Sequence, residues 1–269
     1  KDTVLIIDNF KRSFINLTGF KKLNGTKVSK EDITYILNSL KSNINETENQ
    51  KKIIHIFNSS YSLDQKKINN IPIGLFGDFY SHELSFCLIS NNDYKNIKNI
   101  FNRCNLHIKK IILKSFAEGT CISNKKMELD TFYQIKLNKK NSQIFYFEND
   151  SLKFEQNFNF GSNLILEDIA KVTFLNINLV KKIIKKIPLN QTVSGDELIE
   201  KDLFENEDYR KIKKKLIIDI AAARIEELLE KFLTKNINTS NFNKKRSVVF
   251  LEIYDHSHLK CFKDIYRNL

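Results

Sequence analysis

Few residue groupings in this 269-residue chain could carry chemistry. Among the five histidines (His55, His82, His107, His256 and His258) only the last two cluster, beside Asp255. Two ligands at i, i+2 share one face of a strand but not of a helix, and no further ligand group accompanies them. The stretch reads as a polar loop, and no metal is expected. Cys87, Cys104, Cys121 and Cys261 contain no Cys-x-x-Cys pair, which argues against a zinc ribbon and a disulfide framework. That cysteine usage fits a reducing, cytosolic compartment. There is no Gly-x-Ser-x-Gly elbow and no Ser-His-Asp order with motif support. Arg224 is more informative. On a helix its i+4 neighbour is Leu228, which cannot pair, so Glu227 at i+3 is the expected mate. Read from spacing alone, it is a solvated or locally paired helix arginine.

Net charge is +12. Such a surplus fits a nucleic-acid or anionic-lipid surface. Here the lysines are spread along the whole chain, with Asn and Ile abundant beside them, as AT-rich codons produce. The charge therefore reads as compositional, and no nucleic-acid partner is expected; a basic nucleic-acid-binding protein stays as an alternative. No run of 18 apolar residues is present, so no transmembrane helix is expected. The chain opens on Lys1 without a signal-peptide pattern, which is the expectation for a piece of a longer protein.

The elements that must position these residues follow from periodicity. Val4–Ile7 is a short apolar strand. Ser29 to Asp32 has capping-box spacing, and Ile33, Ile36, Leu37 and Leu40 follow at helical intervals. Lys41–Lys52 is polar and loop-like. Ile53–Phe57 and the alternating Leu84, Phe86 and Leu88 predict strands. Asn91-Asn92-Asp93 predicts the cap of a helix carrying Tyr94, Ile97, Ile100, Phe101 and Cys104, with Asn105 as its stop. Thr131–Leu137, Gln143–Phe147 and Leu152–Phe158 predict three strands joined by short polar connectors, hence antiparallel. A helix over Ser162–Val172 follows, then a basic helix over Ile177–Ile187 stopped by Pro188. The longest periodic segment, Tyr209–Lys235, carries Ile217, Ile220, Ile225, Leu228, Phe232 and Leu233. A strand over Ser247–Ile253 and a helix with Leu259, Phe262, Ile265 and Tyr266 end the chain.

Five passages in this order resemble the FtsA family of actin-like ATPases. They are Ile53–Phe57 with Tyr61-Ser62-Leu63-Asp64; Asn70–Gly77 (NIPIGLFG); Asn102-Arg103-Cys104-Asn105-Leu106; Gly161–Leu164 with Asp168-Ile169-Ala170; and Ile217–Leu229 (IIDIAAARIEELL). The extra residue between Asn70 and Pro72, and Asn105 for a family glycine, are departures. The resemblance implies an α/β fold of the actin-like (ribonuclease H-like) type with an FtsA-type 1C subdomain. It implies subdomain 1C over 1–90 and the end of 1A over 91–126. Subdomain 2A is implied over 127–175 and 247–269, with 2B over 176–246. The family's first strand and phosphate loop are expected before residue 1, and its amphipathic membrane helix after Leu269.

The resemblance also implies a nucleotide site, and ATP as cofactor, but the matching residues have changed. The second phosphate loop should read Asp, Ile or Leu, three glycines, Thr, any residue, Asp. This chain reads Lys136, Leu137, Asn138, Lys139, Lys140, Asn141, Ser142, Gln143. Both acids and all three glycines are replaced. Glycines let backbone N–H groups approach an anion, and the acid anchors Mg²⁺. The adenosine-side Leu-Thr-Gly-Gly is Leu251-Glu252-Ile253-Tyr254, with Ile253 and Tyr254 as its site positions; Gly161 keeps one family glycine. The expectation is a pseudo-ATPase that has lost hydrolysis and specific ATP binding. Arg224 and Glu227 fall where the family's 2B groove takes the FtsZ C-terminal tail. The implied role is a cell-division adaptor, peripheral on the inner face of the cell membrane at the division site, which self-associates through its actin-like subdomains. A working ATPase of the same fold and a pilus-assembly scaffold of the PilM type are the rivals.

Overall fold

A computed structural model describes every residue except 1, 9, 126–128, 187–195, 205–206, 241, 243–247, 255–261, 263–264 and 267–269. Asp255, His256, His258, Cys261, Pro188, Ser247 and Leu259 lie outside the described residues, and with them the loop read as polar and most of the last helix. The chain forms two compact units, Lys1–Tyr133 with Phe145–Glu155, and Gln134–Ile144 with Gln156–Leu269.

The first unit begins with β1 (Asp2–Ile7), β2 (Arg12–Lys22), α1 (Lys30–Thr47), β3 (Lys51–Leu63), β4 (Lys66–Ile68) and β5 (Phe79–Ser90). It continues with α2 (Asn91–Arg103), β6 (His107–Leu113) and α3 (Lys114–Lys125). An antiparallel sheet in the order β2-β5-β3-β4 packs one face on α1. Its core is Leu23, Val28, Ile36, Leu40, Ile44, Leu63, Tyr80, Leu84, Phe86 and Leu88. The capping box at the start of α1 is present: Ser29 Oγ accepts from the Asp32 N–H at 3.2 Å, and Asp32 Oδ2 accepts from the Ser29 N–H at 2.9 Å. The helix runs further than the polar composition of Lys41–Lys52 suggested. Ile44 continues the Ile36–Leu40 stripe into the core, so burial overrides the weak local pattern.

Strands β2, β4 and β6 and helix α3 escaped the sequence reading. Strand β2 is mostly half-exposed and has little apolar contrast along it. Strand β6 pairs in parallel with β1 across about a hundred intervening residues, a long-range relation without a local signature. Helix α3 is short and holds only Ser115 and Gly119 fully buried. Two helix ends lie where the sequence places them. Asn105 has φ 54° after α2, the left-handed stop expected of Asn, and the N-cap of α2 is Ser90, one residue before the predicted cluster.

Strands β7 (Phe132–Leu137), β8 (Ser142–Glu148), β9 (Ser151–Phe158) and β10 (Val248–Ile253) form a sheet in the order β10-β7-β8-β9. The β8–β9 connection is Asn149-Asp150, both with positive φ, as the tight hairpin turn matched to strand twist requires. In the second unit α4 (Asn163–Thr173), α5 (Ile177–Lys186) and α6 (Lys214–Phe232) bury apolar stripes. Ile165, Leu166 and Ile169 of α4 and Ile217, Ala221, Ile225 and Leu228 of α6 are all buried. In α5, Leu179, Val180, Ile183 and Ile184 are buried, and its lysines line the opposite side. Helix α6 begins at Lys214, later than the apolar period suggested. Lys213 is still extended and bridges Leu198, which holds the preceding residues out of the helix. Among the described residues no helix is long and apolar enough to cross a membrane.

Candidate functional site

The second unit contains the residues singled out from sequence, in two places. The first is the β7–β8 loop. Its turn is closed by the Asn138 N–H donating to the Asn141 carbonyl at 3.0 Å and Asn138 Nδ2 donating to Asn141 Oδ1 at 2.7 Å. The loop is fastened to the start of α4: the Ser162 N–H donates to the Asn138 carbonyl and the Asn163 N–H to the Lys139 carbonyl, both at 2.9 Å. A helix N-terminus is a natural anion site because its first N–H groups lack intrahelical partners. Here two backbone N–H groups at that end are already occupied by loop carbonyls. Gly161 permits this approach, since a Cβ there would lie 2.2 Å from the Asn138 carbonyl oxygen.

The remaining positions of the expected nucleotide site surround this loop. Lys136 is buried, at 5% exposure, within β7. Lys139 and Lys140 are exposed at the turn. Gln143 donates from Nε2 to Asn157 Oδ1 at 2.8 Å. Tyr254 reaches the base of the loop, with its N–H donating to the Leu137 carbonyl at 3.1 Å and its hydroxyl to Glu252 Oε2 at 2.9 Å. Glu252 also accepts from Gln134 Nε2 at 2.8 Å. Ile253, at the end of β10, is half-buried. The structure thus brings Asn138, Gly161 and Tyr254 together from three distant stretches. Among the described residues no cluster of three or more acidic, His or Cys side chains is placed to hold a metal.

The second place is an open groove of about 630 Å³ between α4 and α6, lined by Asp168, Lys171, Val172, Phe174, Ile220, Ala223, Arg224 and Glu227. Asp168 and Arg224 sit on the outer sides of helices whose other sides are buried against the core. Arg224 Nε donates to Asp168 Oδ2, and Nη1 donates to Glu227 Oε2 at 2.6 Å. Glu227 in turn pairs with Lys231 at 2.5 Å. The Asp168 hydrogen bond, with the charges of Asp168 and Glu227, raises the Arg224 pKa further. The Lys231 hydrogen bond is the first cause holding the Glu227 carboxyl below its usual range.

Asp168 is a partner that spacing along α6 did not reveal, because it lies 56 residues away. Arg224 therefore stands in a carboxylate network that engages Nε and Nη1. Lys171 makes no ion pair among the described residues.

Phe174 was also missed from sequence. It follows α4 with φ 54°, left-handed backbone that a bulky residue rarely adopts, and its side chain is 79% exposed. Arg210 Nη1 holds this end by donating to the Phe174 carbonyl at 2.6 Å. A lone exposed aromatic on strained backbone beside a cation is a signal of recognition that no periodicity scan registers.

The mixed α/β fold of the chain is of the actin-like type. Across 99% of this chain and 67% of the other, the fold matches a chain of the PilM-PilN type IV pilus biogenesis complex, with TM-score 0.50 and 9% identity. Residues 12–84 match the model of the SHS2 domain inserted in FtsA. The chain is 22% identical over 218 residues to cell division protein FtsA of Buchnera aphidicola subsp. Schizaphis graminum, covering 80% of this chain and 51% of that protein. It is 20% identical over 217 residues to FtsA of Escherichia coli K12, again covering 80% and 51%. The chain is thus similar to FtsA proteins at low identity, and it spans about half the length of the curated relatives it matches.

Proposed function

We propose that this chain is a cell-division adaptor that works without nucleotide chemistry, docking the acidic C-terminal peptide of FtsZ in the groove between α4 and α6. The observation that carries the reading is the groove itself: it is lined by apolar Val172, Phe174, Ile220 and Ala223 together with Lys171 and Arg224. Apolar anchors supply contact area, and Lys171 with Arg224 fixes the peptide's carboxylates. The pairs from Arg224 to Asp168 and Glu227 hold the guanidinium in place, so binding does not have to order it.

The pseudo-ATPase half of the proposal rests on the β7–β8 loop. With Lys136 and Gln143 in place of two acids, no carboxylate from this loop anchors Mg²⁺. Loop carbonyls already accept the N–H groups that would otherwise face a phosphate. Catalysis of phosphoryl transfer is almost entirely positioning and electrostatics, and this loop supplies neither to a metal-bound nucleotide. The adaptor would sit peripherally on the inner face of the membrane at the division site and self-associate through its actin-like parts.

A pilus-assembly scaffold of the PilM type is the second reading, favoured by the structural likeness across the whole chain. The SHS2 match over 12–84 supports the FtsA-type reading over it. Fluorescence anisotropy of a labelled FtsZ C-terminal peptide tests the proposal. Saturable binding that Arg224→Glu weakens at least tenfold is expected; equal affinity of the two proteins removes the groove from the account.

A further inference from the structure

One end of the groove between α4 and α6 carries a cation that is not among its lining residues. Helix α4 stops at Phe174, whose φ of 54° is a conformation that glycine or asparagine adopts at far lower cost. No core packing offsets that cost, because the Phe174 ring is 79% exposed and lines the groove. Arg210 fastens this turn. Its Nη1 donates to the Phe174 carbonyl at 2.6 Å and to the Thr173 carbonyl at 3.4 Å. A guanidinium is a flat fork of several N–H donors, and both of these bonds come from one nitrogen. Arg210 is exposed, and among the described residues no carboxylate pairs with it.

Most cations around it are matched. Arg224 pairs with Asp168 and Glu227, and Lys231 with Glu227. Lys213 pairs with Asp196 at 2.8 Å and Lys214 with Glu197 at 3.2 Å. The acids that precede Arg210 in the chain are Glu207 and Asp208, and Glu207 Oε2 accepts the Asn176 N–H at 3.5 Å just past the Phe174 turn. Neither reaches the Arg210 guanidinium as an ion pair. Arg210 therefore keeps its charge available, whereas Arg224 is shared between two carboxylates.

Apolar surface leads to the same end. Val172 is 51% exposed beside Phe174 in sequence. Leu216, one turn before Ile220 on α6 and 41% exposed, continues the strip of Ile220 and Ala223 toward the start of that helix. A segment packed on Phe174 comes within reach of the side chain that holds the Phe174 carbonyl. Aromatic and arginine anchors are the residues that dominate binding energy at interfaces, and a guanidinium fork matches a carboxylate.

We infer that Arg210 is a second carboxylate-binding residue of this groove, taking an acidic side chain or the terminal carboxylate of the segment packed on Phe174. The inference rests on the groove as the site of the FtsZ peptide, and it adds a contact that sets the peptide's register.

Fluorescence anisotropy of an FtsZ C-terminal peptide labelled at its N-terminus, titrated with the full chain, tests it. Arg210→Gln removes the charge and keeps an N–H donor for the Phe174 carbonyl. It is expected to weaken binding about fivefold and to flatten the dependence on salt. A peptide series replaces each acidic residue by its amide, and one further peptide is amidated at its C-terminus. One member is expected to lose about fivefold on the unsubstituted protein and nothing further on Arg210→Gln, which separates a side-chain partner from the terminal carboxylate. Unchanged affinity of Arg210→Gln overturns the inference. So does a series in which every loss carries over undiminished to Arg210→Gln, as an arginine that only supports the Phe174 turn would give. Binding that Arg224→Glu weakens and Arg210→Gln does not leaves the groove reading standing without this contact. Absence of saturable binding to the unsubstituted protein removes both.

Discussion

Arg224 on α6 donates through Nε to Asp168 on α4, tying the two helices that form the groove through a pair 56 residues apart in sequence. The two side chains are 22% and 26% exposed, so water screens the pair only in part. A double-mutant cycle with Arg224→Ala and Asp168→Ala is expected to give a coupling of about 0.5–1 kcal/mol by chemical denaturation. A coupling near zero would mean that the guanidinium is not held by Asp168 in solution.

Gly161 lies against the β7–β8 loop. Gly161→Ala places a methyl group 2.2 Å from the Asn138 carbonyl oxygen, and neither backbone can yield without breaking the Ser162 and Asn163 bonds. The expected cost is about 2 kcal/mol, read as a lowered denaturation midpoint. An unchanged midpoint would show that the loop is not seated on the start of α4.

The sequence was most legible where local rules decide. Ser29 and Asp32 announced the start of α1, and Asn105 the stop of α2, because caps depend on a few neighbouring side chains. The three-strand series β7 to β9 and helices α4 and α6 followed from periodicity and short turns. Strand β6 was not legible, since its partner β1 is far away in sequence. At the candidate site, Arg224 with Glu227 could be read from helical spacing. Asp168 and Phe174 could not, because one depends on helix packing and the other on a left-handed backbone that nothing about phenylalanine suggests.

Phe174 separates stability from recognition. Its left-handed backbone costs about 1 kcal/mol relative to glycine, and its exposed ring contributes little to the core. Phe174→Gly is expected to raise thermal stability by roughly that amount while weakening peptide binding several-fold. If stability rises and affinity holds, the ring has no part in docking.

His82 sets an acid limit on the first unit. It is 2% exposed, packs against Tyr61 with ring centres 4.7 Å apart, and neither ring nitrogen has a hydrogen-bond partner among the described residues. Burial pushes its pKa down to about 4 from 6.5. Between those values the unfolded chain binds the proton and the folded chain does not. The folded state is therefore fully favoured above about pH 6.5 and loses about 3 kcal/mol as the pH falls to 4. His82→Phe is expected to flatten this part of the pH–stability profile, measured by urea unfolding. A profile equally steep in the variant would assign the acid sensitivity to other groups.

The most direct test of a nucleotide-independent adaptor is calorimetric titration of the FtsZ C-terminal peptide into the full chain, with and without ATP and Mg²⁺. The account predicts saturable binding with the same affinity in both, and no heat from ATP and Mg²⁺ alone. Peptide binding that appears only with ATP and Mg²⁺, or micromolar metal-dependent binding of ATP itself, would contradict it.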